Sequence, residues 1–440
     1  MTYDDQLRTD ILEGAEKYAR SVHQDKPFIA GVTPVLSSGQ VFGPLEMRFL
    51  VEACLNFWPT LGPFNDEFEK KLAKVTGAMR TLTTNSGSSA NLLACTALMS
   101  PLLKDQALKP GDEVITCATG FPTTVNPMLQ NGLVPVFLDV ELGTYNMDLT
   151  LLEEAITPRT RAIILAHTLG NPFNLTAVMA AVKKHDLFLI EDCCDALGAT
   201  YGSRHVGTFG SLATLSFYPA HHITMGEGGA VLCNSMIFKR IVESIRDWGR
   251  DCFCAPGKEN TCNRRFDWQL GDLPYGYDHK YTYSHLGYNL KITDMQAALG
   301  LAQLESLDKF IQARRQNWQY LRDGLDDLQQ VFLMPRATSD SDPSWFGFCL
   351  TLQPDLPFDR QALMMYLTDE RKIASRLLFG GNLIRQPYMK DRAYRVVGSL
   401  DNSDTVMRQT FWVGVYPGLT ERHLDHVLAS IHDFVAARLH

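Results

Sequence analysis

Short apolar runs rich in β-branched and aromatic residues alternate with helix-length stretches through the middle of the chain, and this alternation restricts the fold more than any other feature. Glu113–Thr119, Val134–Val140, Arg161–His167 and Leu187–Cys193 each read as a strand that ends in small or polar residues. Helix-length segments such as Leu175–His185 lie between them. Parallel neighbours need a crossover connection, so strand and helix in turn predict a mostly parallel sheet with helices on both faces. Such sheets bind ligands at the carboxyl ends of their strands, which makes the polar residues closing these runs the first place to look for chemistry. Ala213–Tyr218 and Ala230–Asn234 add two strands around a His- and Gly-rich loop. From Met295 to about Asp327, Leu299, Leu301, Leu304, Leu307 and Phe310 recur at helical spacing and predict one long helix leading out of the sheet.

At 440 residues the chain exceeds one ordinary domain. It divides into an N-terminal helix and Pro/Gly-rich arm over 1–45, a large domain over 46–305, and a smaller α+β domain over 306–440 that ends in an amphipathic helix after Thr420. Lys+Arg 41 against Asp+Glu 49 leaves a net charge of −8, which argues against electrostatic binding to nucleic acid. Val114–Leu138 and Gly207–Gly226 lack charged side chains, but Pro, Asn, Gly or His interrupts both, so neither reads as a membrane span. The first ten residues carry Asp4, Asp5 and Asp10 and no apolar run, so no signal peptide is read there. Ten cysteines are too sparse for a disulfide scaffold. Together these features predict a cytoplasmic enzyme with reduced thiols, of which Cys54, Cys95, Cys117, Cys233 and Cys349 read as core residues.

Thr84-Asn85-Ser86-Gly87-Ser88-Ser89-Ala90-Asn91 opens an apolar helix. A glycine followed by hydroxyl residues at a helix N-terminus offers free backbone N–H groups and a favourable dipole for phosphate. Serine capping alone accounts for such a segment; its company points further. Ile190-Glu191-Asp192 sets a carboxylate at the end of a buried strand, Ser216-Phe217-Tyr218-Pro219-Ala220-His221 ends another, and Gly226-Glu227-Gly228-Gly229 follows at once.

In this order and spacing the segments resemble the DegT/DnrJ/EryC1/StrS sugar aminotransferases, pyridoxal-phosphate enzymes with the aspartate aminotransferase (type I) fold. The likeness runs from Gly62-Pro63 through Gly287-Tyr288-Asn289 to Asn382-Leu383-Ile384-Arg385-Gln386-Pro387. It implies that Asp192 pairs with the pyridine nitrogen of the cofactor, that Phe121 stacks on its ring, and that Gly87, Ser88, Ser89 and Ser216 hold its phosphate. It also implies that Asn289 reaches the phosphate of a second subunit in a homodimer, and that Asp195 stands where many relatives have glutamine.

One residue breaks the pattern. The family motif Ser-Phe-x-x-x-Lys supplies the Schiff-base lysine, and this chain has His221 there. An imidazole forms no such covalent link, but near neutral pKa it is a good general base. The expectation is a dehydrase that uses pyridoxamine phosphate: its amine condenses with a 4-keto sugar, and His221 removes a proton so that the neighbouring C3 hydroxyl leaves. His222 is the adjacent rival.

Cys252, Cys254 and Cys262 fall on one Pro/Gly-containing loop and suit a soft metal. Alternation along the strand puts Cys194 on the side of Asp192 and Cys193 opposite, which favours Cys194 as a fourth thiolate. The spacing Cys194-x₅₇-Cys252-x-Cys254-x₇-Cys262 resembles the [2Fe–2S] motif of the CDP-4-keto-6-deoxyglucose 3-dehydrases of 3,6-dideoxyhexose synthesis. That subgroup implies a nucleotide-sugar substrate and an NADH-dependent flavin/iron–sulfur reductase as electron donor. A structural zinc, a TDP-linked 2,6-dideoxy substrate and a conventional sugar aminotransferase stay open as alternatives. Arg385 and Tyr388 are further candidates for sugar-nucleotide contact.

Overall fold

The computed structural model describes residues 3–23, 27–254 and 257–439; Ala255 and Pro256 of the cysteine loop lie outside them. Seven strands follow in chain order: β1 (Arg80–Thr84), β2 (Glu113–Cys117), β3 (Val134–Leu138), β4 (Thr160–Ala166), β5 (Phe188–Asp192), β6 (Leu212–Ser216) and β7 (Gly229–Cys233). β8 (Phe332–Leu333), β9 (Gly347–Leu352), β10 (Ser375–Leu377), β11 (Arg395–Val396) and β12 (Thr410–Gly414) come later. The large sheet has the order β1-β7-β6-β5-β4-β2-β3-β11. It is parallel from β6 to β11 and antiparallel where β7 pairs with β1 and β6. The second sheet, β8-β9-β12-β10, is antiparallel. Among the described residues no helix is long and apolar enough to cross a membrane.

Period-two alternation builds two cores from the same strands. Ile163, Leu165 and Leu189 face one apolar layer, while Ala162, Ile164 and Ile190 face the other. Helices α1 (Tyr3–Val22), α2 (Pro44–Asn56) and α3 (Pro63–Thr76) precede β1. The second layer also holds Ala90, Leu93 and Ala94 of α4 (Gly87–Ala97), whose cap is Ser86: its Oγ accepts the Ser89 N–H at 3.0 Å. Asp192 lies on this face, two residues beyond Ile190, so the strand parity that packs the core also aims its carboxylate at α4. The strands start or stop one or two residues from the limits read in the sequence, as strand ends do when turn residues leave the ladder.

The long helix expected from Met295 to about Asp327 is two helices, Asp294–Leu304 and Leu307–Gly324. Glu305 N–H and Ser306 N–H bond back three residues, to Ala302 and Gln303, and this tightening redirects the chain. The apolar periodicity runs through the bend because both helices bury the same stripe. Cys54 is exposed rather than in the core, since the helix Pro44–Asn56 turns that face outward; Cys95, Cys117, Cys233 and Cys349 are buried. The arm before residue 44 crosses to the second sheet, where Val35 bridges Ile373.

Gly170 follows β4 with φ +86°, and a Cβ there would stand 1.9 Å from the Ser344 carbonyl oxygen. That carbonyl also accepts from His222 Nε2 at 2.9 Å. Gly170→Ala is expected to destabilise the protein by about 3 kcal/mol through backbone strain and overpacking, measured by chemical denaturation.

Candidate active site

The carboxyl ends of β4, β5 and β6 and the N-terminal ends of α4 and α5 (Pro122–Gln130) open into one cavity of about 510 Å³. Gly87, Ser88, Phe121, Asp192, Cys194, Asp195, Ser216 and His221 all line it. The sequence reading therefore singled out residues that the fold brings together from four separate segments.

Asp192 is 4% exposed. Oδ2 accepts from Asn91 Nδ2 at 2.9 Å and Thr124 Oγ1 at 2.7 Å, and Oδ1 accepts from the Cys194 N–H at 3.1 Å; the Thr214 hydroxyl gives its one proton to Asn91 Oδ1 at 2.6 Å and so fixes that amide. Asn91 and Thr124 thus hold the carboxylate, a part the sequence did not assign, although Asn91 sits at the end of the quoted motif. Gly87 makes room at the helix start: a Cβ would lie 2.5 Å from Ser216 Cβ and 3.0 Å from Cys194 Sγ. Ser88 is exposed to the cavity, whereas Ser89 bonds Ser86 Oγ at 3.1 Å and does not line it. Phe121 is exposed at the rim, 6.4 Å from the Phe379 ring.

His221 and His222 part company. His221 faces the cavity, with Nδ1 3.4 Å from Asp195 Oδ1, out of line for a hydrogen bond and otherwise unpartnered. His222 is buried away from the cavity wall, and burial holds it well below the usual histidine range. Arg314 anchors the segment from behind: Nη2 donates to the His221 carbonyl at 3.3 Å, and Nη1 to the carbonyls of Trp345 and Phe346 at 3.4 Å. Burial lowers this guanidinium to about 10, with Asp195 pulling the other way. No lysine is among the residues lining the cavity.

Arg385 and Tyr388 are not cavity residues. Arg385 pairs with Asp404 at 2.9 Å on the surface. Arg376, on the edge strand β10, lines the cavity instead and has no carboxylate partner among the described residues. No motif marks it, since a lone arginine on a short strand carries no sequence signal. His167, Glu191 and buried Cys193 also bring ligand atoms together. Those atoms are already used: His167 Nδ1 accepts from Phe173 N–H, and Glu191 accepts from His167 and from the N–H groups of Gly207, Phe209 and Gly210.

Asn289 is exposed and lies outside the cavity. Cys252, Cys254 and Cys262 line a separate small hollow with Arg265, His279 and Lys280. His279 is 2% exposed; its Nε2 contacts Asp251 Oδ2 at 2.6 Å, while Nδ1 has no partner.

Residues 45–432 match the model of the DegT/DnrJ/EryC1/StrS aminotransferase family. The chain belongs to this family. It is 59% identical over 428 residues to lipopolysaccharide biosynthesis protein RfbH of Salmonella typhimurium, covering 97% of this chain and 98% of the relative. It is 55% identical over 427 residues to dTDP-4-dehydro-2,6-dideoxy-D-glucose 3-dehydratase of Saccharopolyspora spinosa, covering 97% and 92%. Among solved structures it is similar to E. coli GDP-4-keto-6-deoxy-D-mannose-3-dehydratase with bound hydrated PLP, with TM-score 0.80 and 28% identity over 90% of this chain and 98% of that one. The sheet and its covering helices are thus the type I pyridoxal-phosphate fold of this aminotransferase family.

The cysteines differ in reactivity for physical reasons. Burial and the Asp192 carboxylate push the Cys194 thiol well up. Burial would raise Cys254 too, but hydrogen bonds with Thr261 outweigh it and hold that thiol below its usual value. In metal-free protein at neutral pH, iodoacetamide is expected to label Cys254 about tenfold faster than Cys194, followed by mass spectrometry. Equal rates would contradict these environments.

Proposed function

We propose that the protein removes the C3 hydroxyl of a nucleotide-linked 4-keto-6-deoxyhexose with pyridoxamine phosphate, as a cytoplasmic enzyme of 3,6-dideoxyhexose biosynthesis. One observation carries the reading: a histidine backed by a carboxylate stands in the cavity where family members place their lysine, while the rest of the cofactor cradle is present. The residues fit the cofactor, because Gly87 leaves the space a Cβ would fill at the helix start and Asp192 presents a fixed carboxylate on the cavity wall. When bound, the group supplies an amine that condenses with the 4-keto sugar and a ring that takes up electrons.

Asp192 would hold the ring nitrogen in its protonated form, and its three donors keep the carboxylate from turning away. Gly87, Ser88 and Ser216 would hold the phosphate, aided by the free N–H groups at the start of α4. Phe121, at the rim, would cover the ring. His221, with Nδ1 toward Asp195, has Nε2 for proton transfer; Asp195 then balances the charge of the imidazolium. Phe346, Phe379 and Trp412 give the cavity an apolar wall that limits water. Arg376 would meet the diphosphate of the sugar nucleotide.

CDP is the carrier we favour. The dTDP-linked substrate named for the 55% identical relative supports a second reading, a dTDP-4-keto-2,6-dideoxyhexose. We further propose a homodimer in which exposed Asn289 reaches the partner's phosphate site. Net deoxygenation needs two electrons, which we assign to an NADH-dependent flavin/iron–sulfur reductase. Cys194, Cys252, Cys254 and Cys262 are the thiols proposed for a [2Fe–2S] group.

His221→Asn is expected to retain the absorbance of bound cofactor yet slow dehydration by about 10²–10⁴-fold, assayed with CDP-, dTDP- and GDP-linked 4-keto sugars. A near wild-type rate would remove His221 from the mechanism. Arg376→Ala should raise KM about tenfold and leave kcat nearly unchanged, because its contact is shared by ground and transition states.

A further inference from the structure

Phe379 stands in a backbone conformation that its residue type seldom adopts. It follows β10 with φ +48°, in the turn Leu378-Phe379-Gly380-Gly381, and it lines the main cavity. A bulky residue in the left-handed region is an outlier, and such strain persists where the surroundings impose it, commonly at ligand sites. Glycines take the tightest part of the turn: a Cβ on Gly380 would meet Leu383 Cδ2 at 2.7 Å, and Gly381 has φ +62°. A third glycine at 379 would hold the same turn without strain. The position therefore asks for the phenyl ring, against the preference of its backbone.

That ring meets Phe121. The two planes stand at 72° with centroids 6.4 Å apart, the edge-to-face arrangement that aromatic pairs favour. Among the described residues no other aromatic ring contacts Phe121, which is half exposed at the start of α5. Backbone contacts fix the spacing of the pair. The Gly380 N–H donates to the Gly120 carbonyl at 3.1 Å, the Leu383 N–H donates to the Ala118 carbonyl at 2.8 Å, and Asn382 bridges Thr119. Asn382 Nδ2 in turn donates to Asp404 Oδ1 at 2.7 Å, and Gln386 Nε2 to the Gly380 carbonyl at 2.8 Å. The turn that carries Phe379 is thus fastened to the three residues that precede Phe121.

We propose that Phe379 is a positioning residue that sets the plane of Phe121, so that Phe121 lies flat over the ring of the bound cofactor. The inference rests on the reading of Phe121 as the ring cover given above. An exposed side chain at a cavity rim turns between rotamers. A stacking contact gains affinity when its ring is held in the bound orientation beforehand, and the edge of Phe379 supplies that hold. Two simpler roles compete. Phe379 packs in part against the main core, which alone would make it a stability residue. Arg376 and Leu377 of the same segment also line the cavity, and direct contact with the sugar nucleotide would make Phe379 a substrate residue.

A double-mutant cycle separates these roles. Pyridoxamine phosphate is titrated into cofactor-free wild type, Phe121→Ala, Phe379→Ala and the double variant, and Kd is read together with the induced circular dichroism of the cofactor band. Phe121→Ala should weaken binding about tenfold and Phe379→Ala about threefold, each with a smaller dichroic band. The double variant should bind no more weakly than Phe121→Ala. Phe379→Tyr should keep wild-type affinity and dichroism. Phe379→Gly, which suits the turn's backbone, should lose them as Phe379→Ala does. Chemical denaturation of each cofactor-free variant reports folding, and CDP titrated alone reports nucleotide contact; its Kd in Phe379→Ala should stay close to that of wild type. Additive losses in the double variant would overturn the inference, because Phe379 would then act without Phe121. A lowered denaturation midpoint with unchanged cofactor affinity would also overturn it, as would a loss of CDP affinity larger than the loss of cofactor affinity. Wild-type affinity and dichroism in Phe121→Ala would overturn the ring-cover reading itself, whatever Phe379 does.

Discussion

Burying a carboxylate in a strand end costs several kcal/mol unless donors replace the lost water. Asp192 draws its donors from α4 through Asn91, from α5 through Thr124, and from its own turn through the Cys194 N–H, while Thr214 on β6 donates to Asn91 and holds that amide in place. Hydrogen bonds to a charged group contribute about 1.5–3 kcal/mol each, so this one side chain ties the crossover helices to the centre of the sheet. The helix N-terminus at Gly87, Ser216 at the end of β6 and the cavity face of Cys194 take their positions from the same elements. The site is in this sense the meeting point of the fold's best-anchored parts.

Against that fixed floor stands a less constrained wall. His221 lies on a turn after β6, where Arg314 holds its backbone carbonyl from behind and Asp195 Oδ1 stands 3.4 Å from its Nδ1. The Arg314 contact is to the backbone and needs no histidine. A lysine at the same place would leave from the same backbone, so an exchange at this position need not disturb the fold.

Much of this was legible in the sequence because it depends on short-range patterns. Short apolar runs marked the strands, and the alternation of strand and helix implied the mostly parallel order. Strand parity separated Cys194 from Cys193, and motif register separated His221 from His222; the cavity lining divides both pairs the same way. What escaped depends on folding at long range. Asn91 and Thr124 look like ordinary helix residues until β5 brings Asp192 between them. The bend at Glu305–Ser306 leaves the hydrophobic stripe unbroken, so periodicity alone reads one helix. Arg376 reaches the cavity only because β10 closes the edge of the second sheet, and Arg385, a candidate contact in the sequence, is taken up by Asp404.

We propose that His221 in the cofactor cavity makes this chain a dehydratase rather than an aminotransferase. It is tested by loading the protein with pyridoxamine phosphate, adding a CDP-4-keto-6-deoxyhexose labelled with heavy oxygen at C3, withholding any reductase, and following the sugar by mass spectrometry. The account predicts that the label is lost to water and that no amino sugar forms. An amino sugar that keeps its labelled C3 oxygen would contradict it.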